Sequence, residues 1–261
     1  MELRNISYLH TTSEIPLQRK FILHHHPDTY ELIFLLRGDV TFLAEGCSYD
    51  MHPYDICIAG NNELHQIVHH SLSPYERIVA KININFFMEN HCAELRGIFM
   101  DRKPGQQNLI SHDMVCSSRI PELFRKIDAY FEQGNQIGGL CVLVEILSIL
   151  NKASGSREAG GSSGKNVNEI INYIHEHHKE SITLDSVARH FFINKQYLCK
   201  VFKSATGLTV SQYINLQRYM YVESLAQEGI PKAKSVPEAG FGTYAAYYKF
   251  RKKYARLYSD G

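Results

Sequence analysis

The sequence predicts an α+β protein of two domains, in which a small β-barrel with two C-terminal helices precedes an all-α domain of short paired helices. Three observations lead to this prediction. Short apolar segments with strand-like alternation fill much of the first ninety positions, helical periodicity begins at Pro121, and a Gly/Ser-rich segment divides the chain. At 261 residues the chain is long enough for both domains.

Short β-rich segments separated by turn residues predict the strands of the first domain. Residues 81–86 alternate strictly between polar and apolar side chains, and Gly, Asn and Pro fall between neighbouring segments. The predicted strands are residues 30–36, 39–44, 55–59 and 78–86. Several short strands at this spacing are typical of a sandwich or a small barrel.

Two helices are predicted after the strands, at residues 121–133 and 139–150. The second is apolar on nearly every side, so another surface must cover it. That surface is either the barrel or the same helix of a second copy, and the latter alternative predicts a homodimer.

Residues 153–164 contain four Gly and four Ser, which is typical of a flexible linker. We therefore predict a first domain at residues 1–152, a linker at 153–165 and a second domain at 166–261. Residues 1–150 carry 12 Lys and Arg against 18 Asp and Glu, whereas residues 166–261 carry 13 against 8. The basic half is the one that would meet phosphate groups.

Composition narrows the class of protein. No apolar run approaches the roughly 20 residues that span a bilayer, so we expect no membrane partner. The N-terminus has no signal-peptide layout, and the six cysteines are spread singly, as in proteins of a reducing compartment. We expect a cytoplasmic protein.

Local signals in the second domain predict two short helices joined by a tight break. Thr183 is a suitable N-cap for a helix at 184–191, and Asn194 is a suitable N-cap for a second helix at 195–205. Gly207 follows as a C-terminal stop. Two such helices with a basic outer face on the second form a helix-turn-helix arrangement.

The outer face of this second helix carries the candidate DNA-binding residues. Lys200 and Lys203 would neutralise phosphates, and Lys195 and Gln196 lie near the helix start, where side chains reach base edges. The full set is Asn194, Lys195, Gln196, Cys199, Lys200 and Lys203. By spacing alone, an ordinary helical hairpin with a solvated lysine face explains the pattern equally well.

A longer, ordered set of residues resembles the AraC/XylS family of transcription regulators. It runs from about Ile182 to Tyr254 and comprises Tyr197-Leu198, Phe202-Lys203, Gly207, Tyr213, Arg218, Gly240-Phe241 and Tyr247. The resemblance implies two helix-turn-helix units bridged by a long helix, Val210–Gln227, each reading one major groove of double-stranded DNA. It therefore implies a sequence-specific regulator, which is not an enzyme.

The second unit departs from the family pattern. Gly240 to Tyr244 matches the start of the family's second recognition helix, here residues 244–253, with candidate contacts from Thr243, Tyr244, Ala245, Tyr248, Lys249 and Lys252. However, Pro237 falls inside the preceding helix, where proline removes a hydrogen bond. Val236, Arg251 and Arg256 replace an expected alanine, phenylalanine and glycine. These departures predict a distorted second unit.

The motif that begins at His24 resembles the first motif of the cupin barrels: His24, His26, Glu31 and Gly38 have the cupin spacing, and His65 is the plausible later histidine. In metal-binding cupins these side chains would be ligands. In regulatory relatives they would instead line a pocket for a small-molecule effector such as a sugar or related metabolite. A third alternative leaves them as histidines without a ligand. We assign them to effector binding and expect no cofactor.

Three hypotheses follow. The first is an effector-responsive transcription regulator whose barrel binds a small molecule. The second is a metal-dependent cupin enzyme, such as a dioxygenase or isomerase, with an appended helical domain. The third is a constitutive DNA-binding protein whose barrel only dimerises.

Overall fold

The computed structural model describes residues 2–3, 5–14, 24–26, 28–153 and 165–258. It contains two compact units. The first consists of Met1–Phe21, Asp28–Ala44 and Ser48–Ser162, and the second of Ile22–Pro27, Glu45–Cys47 and Ser163–Gly261. The predicted α+β class is confirmed, because strands dominate the N-terminal part and helices the rest. The predicted linker lies, except for its two end residues, outside the described residues.

The strands form two sheets. The larger has the order β1-β2-β8-β3-β6-β9 and the smaller the order β5-β4-β7. β3 pairs antiparallel with both β8 and β6, so it lies in the middle of the larger sheet. The strands are β1 (Glu2–Leu3), β2 (Ile6–Ser13), β3 (Thr29–Arg37), β4 (Val40–Ala44), β5 (Cys47–Met51), β6 (Ile56–Ala59), β7 (His65–His69), β8 (Tyr75–Asn83) and β9 (Leu109–Ile110).

One strand prediction is wrong at its C-terminal end. The alternation of residues 81–86 predicted a strand to Phe86, whereas β8 ends at Asn83 and helix α1 (Ile84–Glu89) follows. The Asn83 side chain accepts a hydrogen bond from the Asn85 amide and so caps the helix. Phe86 and Phe87, adjacent in sequence, are then both buried, which a strand with alternating faces would not allow. β1, β2, β5, β7 and β9 were not predicted.

Both predicted helices of the first unit are present, as α4 (Ile120–Glu132) and α5 (Gln136–Lys152). Shorter elements precede them: a 3-10 turn at Ala93–Arg96, α2 (Gly97–Met100) and α3 (His112–Ser117). Phe34 of β3 stacks on Phe124 of α4 with ring centroids 4.7 Å apart. α5 buries Val142, Ile146 and Leu150 in the same core, so the core of the first unit covers much of this apolar helix. A homodimer stays a prediction.

Polar contacts at the edge of this core attach α4 to the sheet. The Tyr8 hydroxyl donates to Oδ1 of Asp128 at 2.9 Å, and Nδ1 of His10 lies 2.8 Å from Oδ2 of the same carboxylate. The second ring nitrogen of His10 lies 2.9 Å from Glu76. Burial alone would lower the pKa of His10, but the two carboxylates raise it above its usual value.

A buried carboxylate joins the loop that follows β6 to the loop that precedes β9. Glu63 is 4% exposed and accepts hydrogen bonds from the amides of Gly60 and Gly105, both at 2.6 Å. Arg102 forms a two-pronged ion pair with it, and Nδ2 of Asn108 donates at 3.0 Å. Burial opposes the charge of Glu63, but Arg102 and the two amides outweigh it and lower its pKa to about 2.

The second unit is helical. Its helices are α6 (Lys165–His177), α7 (Leu184–His190), α8 (Lys195–Thr206), α9 (Val210–Gln227), α10 (Lys232–Glu238) and α11 (Tyr244–Tyr258). Phe202 of α8 and Tyr213 of α9 pack edge to face at 5.3 Å. A separate cluster at the far end joins Val222, Val236, Phe241 and Tyr247. In the described part of the chain, no helix is both long and apolar enough to cross a bilayer.

We predict that Glu63→Gln lowers the free energy of unfolding by about 3–5 kcal/mol, because the 1% exposed side chain of Arg102 would keep a buried charge without its partner. Chemical denaturation at neutral pH measures the change. Glu122→Gln is the matched control, since its pair with Arg125 is well exposed and should contribute at most about 1 kcal/mol. Equal losses in the two variants would contradict the role assigned to Glu63.

Candidate nucleic-acid interface

The first helix pair begins and ends at the residues that its caps predict. Thr183 and Ser186 form a reciprocal capping box at the start of α7, and the Asn194 side chain accepts from the Gln196 amide at the start of α8. Gly207 ends α8 with a φ of 73°, a left-handed conformation that favours glycine. The predicted helices at 184–191 and 195–205 are therefore confirmed to within one residue.

The inner faces of α7 and α8 hold the pair together. Val187 and Ala188 of α7 and Leu198 and Phe202 of α8 are at most 4% exposed. Ala188 is small, so the two helices can approach each other closely at this point. The break between them is tight, because the Ile193 amide donates to the Ala188 carbonyl at 3.0 Å.

The outer face of α8 carries the predicted DNA-binding side chains. Most of these side chains are exposed, and Cys199 is half-buried, so the helix presents the set on one surface. The exposed members are Asn194, Lys195, Gln196, Lys200 and Lys203. Arg189 of α7, which the sequence reasoning missed, is also exposed and lines a cleft with Lys195 and Gln196. Arg189 lies on the first helix of the pair, four residues after Asp185, and nothing in this local spacing indicated that its side chain lies beside α8.

Two contacts restrict what this face can offer. Nζ of Lys195 lies 2.8 Å from Oδ1 of Asp185, and both side chains are more than half exposed. An exposed pair of this kind contributes at most about 1 kcal/mol, so a stronger acceptor can displace it. The amide oxygen of Asn194 already caps α8, which leaves mainly its amide N–H groups available for a ligand.

Helix α9 connects the two helix pairs, as predicted, and Arg218 fixes it in place. Nε of Arg218 donates to the His178 carbonyl at 2.6 Å, and one of its terminal nitrogens donates to the Glu180 carbonyl at 2.8 Å. Both carbonyls belong to the segment that follows α6. Partial burial lowers the pKa of Arg218 from its ordinary value.

Gly240 packs against Arg218 and against the backbone of the segment that follows α6. It has a φ of 83°, and a Cβ added there would lie 2.7 Å from the Lys179 carbonyl oxygen and 3.0 Å from both Nε of Arg218 and the His178 oxygen. Two residues of the family resemblance, Arg218 and Gly240, therefore meet at one junction.

The second helix pair forms in spite of its departures from the family pattern, so the predicted distortion is wrong for its described residues. Pro237 lies in the last turn of α10, where it removes a single donor, and the Ala239 amide still reaches the Ser235 carbonyl at 2.9 Å. Val236 is 1% exposed within the apolar cluster. Arg251 is exposed, and Phe250 packs against Phe241 instead; the side chain of Arg256 lies outside the described residues.

A polar contact that the sequence did not signal joins α9, α10 and α11. The hydroxyl of fully buried Tyr247 donates to Oε1 of Glu223 at 2.6 Å, and Nζ of Lys232 lies 2.9 Å from the same oxygen. Burial and the neighbouring carboxylate raise the pKa of Tyr247. The hydroxyl thus stays a donor, and the cluster keeps a satisfied polar group at its edge.

The candidate residues of the second recognition helix are also brought to one exposed surface. Tyr244 and Tyr248 are 52% and 56% exposed. The hydroxyl oxygen of Thr243 accepts from the Ala246 amide at 3.1 Å, so this residue caps α11, a role that the sequence reasoning missed. The exposed set is Thr243, Tyr244, Ala245, Tyr248, Lys249 and Lys252.

In the first unit, two of the predicted effector-binding residues are in direct contact. Nε2 of His65 lies 2.6 Å from Oε2 of Glu31, and Nδ1 of His65 lies 2.8 Å from the Glu63 carbonyl. Both side chains are buried. Burial alone would lower the pKa of His65, but the hydrogen bond and charge of Glu31 raise it. Both ring nitrogens face acceptors, which favours the imidazolium form.

The other two predicted residues, His24 and His26, are half-buried, and their rings pack edge to face at 5.1 Å. Imidazole and carboxylate groups suit a transition metal as well as a polar ligand, so the chemistry of these side chains leaves both alternatives open.

Comparison with known proteins finds similarities to DNA-binding regulators in sequence and to one solved structure. Residues 174–215 match the family of bacterial regulatory helix-turn-helix proteins of the AraC type. The transcriptional activator RhaS of Escherichia coli is 23% identical over 215 residues, which cover 80% of this chain and 74% of RhaS. RhaS of Citrobacter koseri is 21% identical over 232 residues, covering 86% and 81%. ToxT of Vibrio cholerae with a bound unsaturated fatty acid aligns over 97% of this chain and 93% of its own, with 15% identity and a TM-score of 0.38.

We predict that Gly240→Ala destabilises the helical unit by about 1–3 kcal/mol. The new Cβ would lie 2.7 Å from the Lys179 carbonyl oxygen, and alanine is disfavoured at the left-handed φ that residue 240 adopts. Gly242→Ala is the control: two residues away, its Cβ would meet nothing within 4 Å. Urea denaturation followed by circular dichroism compares the two. If both variants unfold at the same urea concentration, the junction between Gly240 and Arg218 is not a constraint.

Proposed function

We propose that the chain is a transcription regulator of the AraC/XylS type, which binds specific double-stranded DNA sites through two recognition helices, α8 and α11, under the control of a small-molecule effector. The match of residues 174–215 to the AraC-type helix-turn-helix family supports this proposal. The observation that carries the proposal is the outer face of α8, where the predicted phosphate-binding and base-reading side chains are exposed together on a well-capped helix.

The roles on α8 follow from the length and chemistry of each side chain. Lys200 and Lys203 extend from the exposed side of the helix and would contact phosphates on either side of the groove. Gln196 lies in the first turn, where a recognition helix approaches the bases, and its amide can pair with adenine. Lys195 would leave Asp185 for a guanine or a phosphate when DNA is present.

Helix α11 supplies the second proposed contact surface. Lys249 and Lys252 offer positive charge, and Tyr244 and Tyr248 offer hydroxyls that can donate to phosphates or bases. Because Arg218 and Gly240 fix the two helix pairs through α9, DNA would meet both surfaces in one defined arrangement. RhaS, to which this chain is similar, is named a transcriptional activator.

For the effector, we propose a site built around Glu31 and His65, and the sequence pattern adds His24 and His26 to the candidate residues. A buried carboxylate and imidazolium fix polar atoms at defined positions, and ligand sites commonly combine a few such groups with apolar walls. A sugar or related hydroxylated metabolite could donate to the carboxylate of Glu31, which His65 holds in position through its own hydrogen bond. ToxT of Vibrio cholerae binds an unsaturated fatty acid, which is a different ligand class.

The remaining expectations complete the proposal. The effector-binding domain would comprise residues 1–152 and the DNA-binding domain residues 166–261, with residues 153–165 as linker, and the regulator would act as a homodimer in the cytoplasm. The dimer would use the side of α5 that the core leaves open, where Ile137 is 75% exposed.

DNA selected from a random pool by the purified chain provides the probe for the first test. With it, Lys203→Ala should weaken binding to all sequences and reduce the slope of log affinity against log salt by about 0.9, the value of one phosphate contact. Gln196→Ala should change the selected sequence more than the affinity, because its amide reads bases. Fluorescence anisotropy across a salt series, with repeated selection, gives both results.

Lys126→Ala is the control for charge alone, since Lys126 is exposed on α4 of the first unit. An unchanged selected sequence for Gln196→Ala would mean that α8 is not a recognition helix. An equal fall in slope for Lys126→Ala would mean that Lys203 acts only through net charge.

A thermal-shift screen against hydroxylated metabolites tests the effector site. A ligand present at about 100 times its dissociation constant should stabilise the protein by about 2.7 kcal/mol. Glu31→Gln should remove most of this shift, because it removes the charged acceptor. Glu122→Gln, at an exposed position of α4, should keep the shift. Stoichiometric iron or manganese that is lost in His26→Ala would instead support the metal-dependent enzyme.

A further inference from the structure

A group of three metal-ligating side chains lies in the first unit at a place that the proposed function does not use. His52 and Asp55 belong to the turn between β5 and β6, and His112 is the first residue of α3. Each offers one ligand atom, and these atoms lie within 4.8 Å of one another. The turn and the helix are 57 residues apart in sequence, so the fold assembles the group.

Asp55 is held by the backbone before any ligand arrives. Its side chain is 1% exposed, and its two oxygens accept from the His52 amide and the His112 amide, both at 2.6 Å. The backbone of the turn is fixed as well, because the Tyr54 amide donates to the Leu35 carbonyl at 2.6 Å. A carboxylate offers about four lone-pair positions, so each oxygen of Asp55 keeps one that no amide occupies.

The two imidazoles lie beside this carboxylate, and each faces a different oxygen of it. Nδ1 of His52 lies 3.6 Å from Oδ2 of Asp55, and Nδ1 of His112 lies 3.4 Å from Oδ1. These distances are long for hydrogen bonds. In a tetrahedral zinc site with bonds of about 2.0–2.2 Å, neighbouring ligand atoms are about 3.3–3.6 Å apart, and each imidazole has this separation from one of the two carboxylate oxygens.

The surroundings of His112 support the same conclusion. Its other ring nitrogen, Nε2, lies 3.3 Å from a carboxylate oxygen of Asp113. Histidines that bind metals commonly donate their second N–H to a carboxylate, which orients the ring and makes the ligating nitrogen more basic. The rings of His52 and His112 are 70% and 47% exposed, so an ion from solution can reach them.

We propose that His52, Asp55 and His112 form a site for a divalent transition-metal ion of the zinc class. Three protein ligands leave a fourth position for water, and the N,N,O ligand set suits Zn²⁺. A bound ion would join the turn at 52–55 to the start of α3 and so stabilise the first unit. The inference does not depend on DNA or effector binding.

Zinc titration of the metal-free full chain at pH 7.5 tests the proposal, with binding followed by calorimetry and by thermal unfolding. We expect a rise in the melting temperature of the wild type. The double variant His52→Gln/His112→Gln should bind zinc at this site more than about tenfold more weakly, since even loss of an outer-shell partner costs 10–100-fold in affinity. Its metal-free melting temperature should equal that of the wild type, because both rings are solvent-exposed.

Two controls make the result specific. His91→Gln replaces an exposed histidine outside the group and should bind zinc as the wild type does. His26→Gln should also keep the zinc-induced shift that the double variant loses, which separates this site from the predicted effector-binding histidines. Cobalt provides a spectroscopic readout, since a tetrahedral site with two imidazoles gives an intense visible absorption that the double variant should lack.

A wild type that binds no zinc at pH 7.5 would overturn the proposal. So would a double variant that keeps the wild-type affinity, the wild-type thermal shift and the cobalt spectrum.

Discussion

The helical unit depends on the contact of Arg218 with the backbone that follows α6. This half-buried guanidinium donates to two carbonyls, and Gly240 approaches the same carbonyls closely because it has no side chain. The acceptors are main-chain atoms, so this contact does not depend on which side chains stand at positions 178 and 180. The outer faces of α8 and α11 can therefore change in sequence while the distance between them is preserved.

The first unit uses buried charge in a comparable way. Glu63 accepts from two backbone amides, as Asp55 does, and each carboxylate joins segments that are distant in sequence. A buried carboxylate is costly unless donors surround it, and backbone amides are donors that no substitution except proline removes. The loops around the sheet are thus held at defined positions, which a site made of side chains such as Glu31 and His65 requires.

How much the sequence could predict depended on how local the determining interaction is. Thr183, Asn194 and Gly207 define the first helix pair through contacts within a few residues, and these helices were predicted to within one residue. The helix at Phe86 was missed, because the six alternating residues 81–86 fit a strand. Only the burial of both Phe86 and Phe87 indicates a helix at this point. The contact of Glu223 with Tyr247 lies beyond local patterns, since no short spacing relates them. Likewise, the spacing could nominate Glu31 and His65 but not show their direct contact.

For the proposed reading of DNA by α8, the ion pair between Asp185 and Lys195 has a kinetic consequence. An acidic side chain beside the proposed reading surface repels every phosphate, whatever the sequence, while a correct base can still recruit the lysine. Complexes at incorrect sites would therefore dissociate sooner, and the lifetime of complexes at correct sites would be shortened less. A surface pair that adds little to folding stability can in this way shorten the search for a target and sharpen discrimination among the many competing sites.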